Sequence, residues 1–211
     1  MTPFSGIPDA AFDFYAELEH NNNRDWWLEH KSTYDAAVKE PLTGLLAALE
    51  PEFGTAKLFR PNRDIRFSLD KSPYKTAQGA VASVAEGMGF YLQLDAGGLL
   101  IGGGYHTHTP AQLARFRSAV DAPSSGAVLR KIVGQVEALG FTVEGETLKT
   151  VPRGFAKDHP RAELLKHKSL AAGVHAGRPG WLSTPDAAVE VARRWEQLRP
   201  LVEWIGRYAA P

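Results

Sequence analysis

The chain has 211 residues, 44% of them hydrophobic, with 24 Lys and Arg balancing 24 Asp and Glu and no cysteine. That length supports a continuous buried core and a single α+β domain over residues 1–211. The charge balance argues against nucleic-acid binding by overall field, and the lack of cysteine removes disulfides, thiolate nucleophiles and cysteine-type zinc sites. No run approaches the ~20 apolar residues of a membrane-spanning helix, and residues 1–6 lack the basic and apolar regions of a secretory signal. A cytoplasmic protein without a membrane partner is the expectation.

Residues 7–20 carry Ala11, Phe12, Tyr15 and Leu18 at helical spacing, behind a Pro8-Asp9 start. Asn21-Asn22-Asn23 then breaks the pattern, and Asn23 is placed to cap a second helix from Arg24. Trp26, Trp27, Tyr34, Ala37 and Val38 form the apolar stripe of that helix, with a bend expected at Pro41 before residues 42–49 continue it. Strands are expected at 63–69, 89–95 and 99–105, the last two joined by Ala96-Gly97-Gly98. Gly102-Gly103-Gly104 would weaken the third strand or let another backbone approach it closely. Thr109-Pro110-Ala111-Gln112 is a helix entry, and a further helix follows over 125–139. Residues 141–149 alternate around Glu144-Gly145-Glu146 and read as a hairpin, Asp158 can cap a short helix after His159-Pro160, and a last helix from Asp186 aligns Val191, Trp195, Leu198, Val202 and Ile205, with Pro200 as a kink. Together these predict an α+β fold: a mostly antiparallel sheet flanked by helices, with a helical N-terminus and a long C-terminal helix.

Within residues 60–75, Arg60, Arg63, Arg66, Lys71 and Lys75 face only Asp64 and Asp70. Ile65, Phe67 and Leu69 alternate with Asp64, Arg66, Ser68 and Asp70, so a strand over 63–69 would put Asp64, Arg66 and Ser68 on one face at steps of about 6.6 Å. The planar arginine fork matches carboxylate and phosphate. The segment therefore reads as an anion site of Arg63, Arg66, Ser68, Lys71, Tyr74 and Lys75, with Asp64 orienting one arginine. Two other readings stand beside it. One is a structural ion network in which Asp64 and Asp70 hold Arg63, Arg66 and Lys71. The other is an interface for nucleic acid or an acidic protein, with Phe59, Phe67 or Tyr74 as stacking surfaces. Asp64 and Asp70 would lie about 20 Å apart on an extended chain, too far for a catalytic carboxylate pair.

A second basic segment, residues 149–168, sets Lys149, Arg153, Lys157, Arg161, Lys166 and Lys168 against Asp158 and Glu163. Arg153 joins the anion site if the two segments meet. Should the protein catalyse a reaction, Asp64, Asp70 and His159 are the candidate proton carriers. His106-Thr107-His108 is the closest histidine pair, and with no third ligand beside it no metal site is assigned. No G-x-S-x-G, G-x-x-x-x-G-K-[ST], H-E-x-x-H or G-x-G-x-x-G pattern occurs, so no nucleotide or metal cofactor is called for by motif.

Several motifs carry a resemblance: Asn21-Asn22-Asn23-Arg24-Asp25-Trp26-Trp27, Tyr34 and Pro41, the run from Arg63 to Thr76, Gly89-Phe90-Tyr91, Pro152-Arg153-Gly154-Phe155 and Asp158-His159-Pro160. The chain resembles, over nearly its whole length, the bacterial and fungal family called domain of unknown function 2461, departing from it at Trp27 and Leu69. The resemblance implies an α+β fold and supplies no catalytic residues. It does make both basic segments coincide with the family's most distinctive motifs. The expectation is a basic pocket for a small phosphate- or carboxylate-bearing ligand.

Overall fold

The N-terminal third is helical because its apolar residues recur at three- and four-residue steps and its breaks carry capping side chains. The computed structural model describes residues 4–66, 68–106 and 109–209. Helix α1 (Ala10–His20) buries Ala11, Phe12, Phe14, Tyr15 and Leu18. The Asn23 side chain accepts from the Trp26 amide at 3.0 Å and opens α2 (Arg24–Thr33), as the asparagine run predicts. A π-helical stretch, Tyr34–Lys39, leads without a break into α3 (Glu40–Phe53). The Glu40 amide reaches back five residues to the Asp35 carbonyl, just ahead of Pro41, which has no amide to give. The irregularity expected at Pro41 thus sits one turn earlier.

Six strands follow: β1 (Ala56–Leu58), β2 (Ala77–Ala85), β3 (Met88–Asp95), β4 (Gly98–Tyr105), β5 (Thr142–Glu144) and β6 (Leu170–Gly177). They form one antiparallel sheet in the order β1-β2-β3-β4-β6-β5. The helices α4 (Pro110–Asp121), α5 (Pro123–Ala138), α6 (Ala162–Lys166) and α7 (Asp186–Tyr208) complete the α+β fold. Thr109 and Gln112 make the reciprocal capping box at the start of α4. Along α7, Val191, Trp195, Leu198, Val202 and Ile205 are all buried, the stripe read from their spacing.

Three sequence expectations are corrected. Residues 63–66 and 68–70 are not strand; Phe67, on which the expected alternation also depends, lies outside the described residues. In place of that strand, the chain forms a broad hairpin. β1 pairs with β2 from Ala56↔Ala82 to Leu58↔Ala80, and the pairing resumes at Asn62↔Tyr74, with residues 64–66 and 68–72 in the loop between 64 and 72. Second, residues 141–149 form no hairpin: β5 pairs with β6, and Thr147 bridges His167. Gly145 sits at φ +145°, where an added Cβ would lie 2.1 Å from the Ser169 carbonyl oxygen, so a close backbone crossing rather than a turn explains the glycine. Third, α6 carries no side-chain cap from Asp158. The expectation at Gly102-Gly103-Gly104 fits the structure, since a Cβ on Gly104 would meet the Leu170 carbonyl oxygen at 2.4 Å.

The chain divides into two compact units, residues 1–82, 91–101 and 175–193 in the first and 83–90, 102–174 and 194–211 in the second. In the first, Leu42, Leu45, Leu49, Leu92, Leu94, Leu99 and Ile101 are buried; in the second, Phe90, Phe116, Val120, Leu129, Leu165 and Trp195. No described helix is long and apolar enough to cross a membrane.

Candidate functional site

The asparagine run and the basic segment come together in the first unit. Asn22 uses both ends of its side-chain amide on one backbone residue: its Nδ2 donates to the Tyr74 carbonyl at 2.9 Å, and its Oδ1 accepts from the Tyr74 amide at 3.1 Å. Trp27 lies flat on the Tyr74 ring, centroids 4.1 Å apart and planes 10° from parallel. Arg63 N to Pro73 O and Lys75 N to Pro61 O, 2.9 and 2.8 Å, close the base of the 64–72 loop. Tyr74 is thus a buried anchor at 7% exposure.

Inside that loop the charges satisfy one another. Arg66 reaches Asp64 through Nε and Nη2 at 2.9 and 2.6 Å, and Arg63 pairs with Asp70. Asp70 also accepts from the Ser72 amide and hydroxyl at 2.9 and 2.7 Å, and Lys71 donates to the Ile65 carbonyl at 2.9 Å. The hydrogen bonds from Arg66 hold the Asp64 carboxyl below its ordinary value, and those from Ser72, followed by Arg63, do the same for Asp70. Both are ionised acceptors at neutral pH, with no proton to give. Ser68 is half-buried in the loop, and Leu69 beside it is fully exposed. Asp70 and Asp64 hold Arg63 and Arg66 as the ion-network reading expected, whereas Lys71 is bonded to a backbone carbonyl and not to a carboxylate.

The cations that face open space are others. A cleft of about 810 Å³ is lined by Lys31, Lys39, Lys57, Arg60 and Lys75, with Asp35 as its one carboxylate. Trp27, Tyr34 and Phe59 supply the aromatic part of the wall, and Thr43 and Asn62 add polar groups. Lys31 and Lys39 both pair with Asp35, whose carboxyl the Lys31 hydrogen bond holds below its usual range. Among the described residues, Lys57, Arg60 and Lys75 have no carboxylate within 4 Å. The Lys75 ammonium donates instead to the Arg60 carbonyl at 3.1 Å and sits 5.6 Å from the Phe59 ring centroid.

Local structure explains why these side chains converge. Trp27, Lys31, Asp35, Lys39 and Thr43 recur every four residues. On a regular α-helix such a row drifts by about 40° per step. The π stretch at Tyr34–Lys39 has a wider turn, which offsets that drift and keeps Lys39 and Thr43 on the cleft side. Beneath them the fully buried Gln78 accepts from the Tyr34 hydroxyl at 2.7 Å and donates to the Phe59 and Gly79 carbonyls at 2.7 and 3.0 Å. One amide therefore positions two walls of the cleft. Burial, with Asp35 adding to it, pushes the Tyr34 hydroxyl up to about 12, so it stays a neutral donor.

Of the anion-site residues expected from the sequence, Lys75 alone among the described residues lines this cleft; Phe59, named as a stacking surface for the interface reading, lines it too. Arg153 is exposed in a turn of the second unit. His159 is in that unit too: its Nδ1 accepts from the Arg161 amide at 3.0 Å and its Nε2 lies 3.3 Å from Asp121, a local structural role. Of the His106-Thr107-His108 pair, Thr107 and His108 lie outside the described residues. Lys31, Lys39, Lys57 and Arg60 were not singled out as ligand residues; the four-residue row through Lys31 and Lys39 is the sequence signal that points to the helical wall.

The first unit thus defines an α+β protein with a cation-rich cleft between a helix row and a sheet edge. Residues 10–204 match the family model described as conserved hypothetical protein DUF2461, and the chain belongs to that family. No curated protein and no solved structure matches it.

Proposed function

We propose that the cleft of the first unit binds an anion, a phosphate- or carboxylate-bearing molecule, in a cytoplasmic setting. The observation that carries this reading is the ratio of five cations to one carboxylate around a single cleft. Lys57, Arg60 and Lys75 are held there without a carboxylate partner among the described residues. Like charges gathered in a concave surface repel one another and focus a positive potential, which an anion relieves. Phe59 and Thr43 add an apolar plate and a hydroxyl for the uncharged part of such a ligand.

Isothermal titration with inorganic phosphate, pyrophosphate and citrate at low and high salt tests the reading. Wild-type protein should bind at least one of them, more weakly as salt rises. The Lys57→Gln/Arg60→Gln protein should bind it roughly 30-fold more weakly and Arg66→Ala should keep the wild-type affinity. Equal titrations for wild type and the double variant would overturn the assignment.

A further inference from the structure

The cleft borders a sheet edge with unused backbone groups. β1 is the terminal strand of the sheet order. The Phe59 amide donates to the Gly79 carbonyl at 2.9 Å, extending the β1–β2 register by one residue. In an antiparallel ladder, residues alternate between turning their backbone groups toward the partner strand and away from it. Lys57 and Phe59 therefore turn toward β2, and Ala56 and Leu58 turn outward.

Lys57, Leu58 and Phe59, three successive residues along the β1 edge, all line the cleft, and residues 60–62 continue its wall beyond the strand. A strand facing a cavity with one side contributes only alternate residues, so an unbroken row means that the cleft runs along the strand's edge. The opposite wall is one face of a helix. An extended polypeptide fits between a strand edge and a helix, taking backbone hydrogen bonds from the first and side-chain contacts from both. The surrounding cations select the sign of its side chains.

We propose that the occupant of this cleft is an acidic protein segment that adds to β1 as a further strand, pairing with the outward backbone groups of Ala56 and Leu58 and placing carboxylates against Lys31, Lys39, Lys57 and Arg60. This rests on the anion-binding reading of the same cleft and goes beyond it, since free phosphate or citrate makes no use of a strand edge.

The probe is a fluorescein-labelled synthetic peptide of alternating glutamate and valine, with a second copy N-methylated at alternate residues to remove its donors on one edge. Polarisation should show binding of the first peptide and loss of roughly tenfold or more for the second in at least one of the two methylation registers. Leu58→Pro, which deletes an outward N–H and leaves the β2 ladder intact, should lose a similar factor. Hydrogen exchange on wild-type protein should show the Leu58 amide slowed when peptide is bound, a readout that holds even if the proline variant does not fold. Binding unaffected by both methylation registers, or an unslowed Leu58 amide, overturns strand addition. If phosphate binding still depends on Lys57 and Arg60 in that case, the anion reading survives alone. If peptide and phosphate are both indifferent to Lys57→Gln/Arg60→Gln, both readings fail. A single-stranded oligonucleotide displacing the peptide at lower concentration would also overturn the proposal, in favour of nucleic acid.

Discussion

The 64–72 loop and the cleft beside it are both rich in cations, yet the structure uses those charges in opposite ways. In the loop, Arg63 and Arg66 each meet a carboxylate from the same short segment, and Lys71 is spent on a backbone carbonyl. In the cleft, five cations from three stretches of chain converge on a space that holds one carboxylate. Cation density along a sequence therefore does not mark a site. What marks it is the failure of nearby acidic groups to follow the cations into the fold.

Trp27 is common to both regions, lining the cleft and stacking on the loop's anchor, Tyr74. Trp27→Ala should cost about 3–5 kcal/mol in denaturant unfolding, because it deletes a buried ring from a packed aromatic cluster with Phe14 and Tyr34. A midpoint equal to wild type would mean that the stack is not supporting either region. Next in size is Asn22→Leu, which strips two hydrogen bonds from the Tyr74 backbone and should cost about 1–3 kcal/mol. Faster hydrogen exchange at residues 61–63 and 73–75 would show the loop base loosening.

Removing two of the three cations that have no carboxylate within 4 Å, in Lys57→Gln/Arg60→Gln, should weaken phosphate binding roughly 30-fold, at about 1 kcal/mol per water-exposed charge removed. A smaller effect is expected at alkaline pH. Tyr34 ionises near 10 when unfolded and near 12 in the fold. Its folded value is raised, so its contribution to stability is complete below pH 10 and is lost as pH climbs from 10 towards 12. Tyr34→Phe should flatten that part of the stability profile, as followed by denaturant midpoints. Smallest of all is Arg66→Ala: it should leave phosphate affinity where it was, and a fall matching that of the double cleft variant would erase the distinction between the two regions.

Local signals in the sequence are legible where the structure is local. The Asn23 cap, the Thr109 capping box and the α7 stripe each depend on residues within a few turns of one another. The strand expected at 63–69 failed because its alternation carried no burial: Ile65 is half-exposed and Leu69 fully exposed, while Asp64 and Asp70 close the segment onto its own arginines. β2 escaped notice for the converse reason. Its Gly79, Ala80 and Ala82 are small residues with little strand preference, and the crowding at Gly79 by Tyr91 and Phe59 explains why nothing larger stands there. β5 pairs with a strand more than 25 residues away, a contact that no turn signal announces. The cleft was partly visible, through Lys75 and the run beginning at Arg60. The remainder depends on a π turn realigning a helical row and on β1 ending the sheet, and neither is written in any short stretch of residues.

The two-point grip of Asn22 on Tyr74 has a chemical corollary. It works because one side chain offers a donor and an acceptor at once, which among similarly sized groups only a primary amide does. Spontaneous deamidation there would exchange the NH₂ for a negatively charged oxygen pointing at a carbonyl, turning an attraction into a repulsion. Hydrolysis of that one C–N bond would therefore release the hold of Asn22 on the Tyr74 backbone.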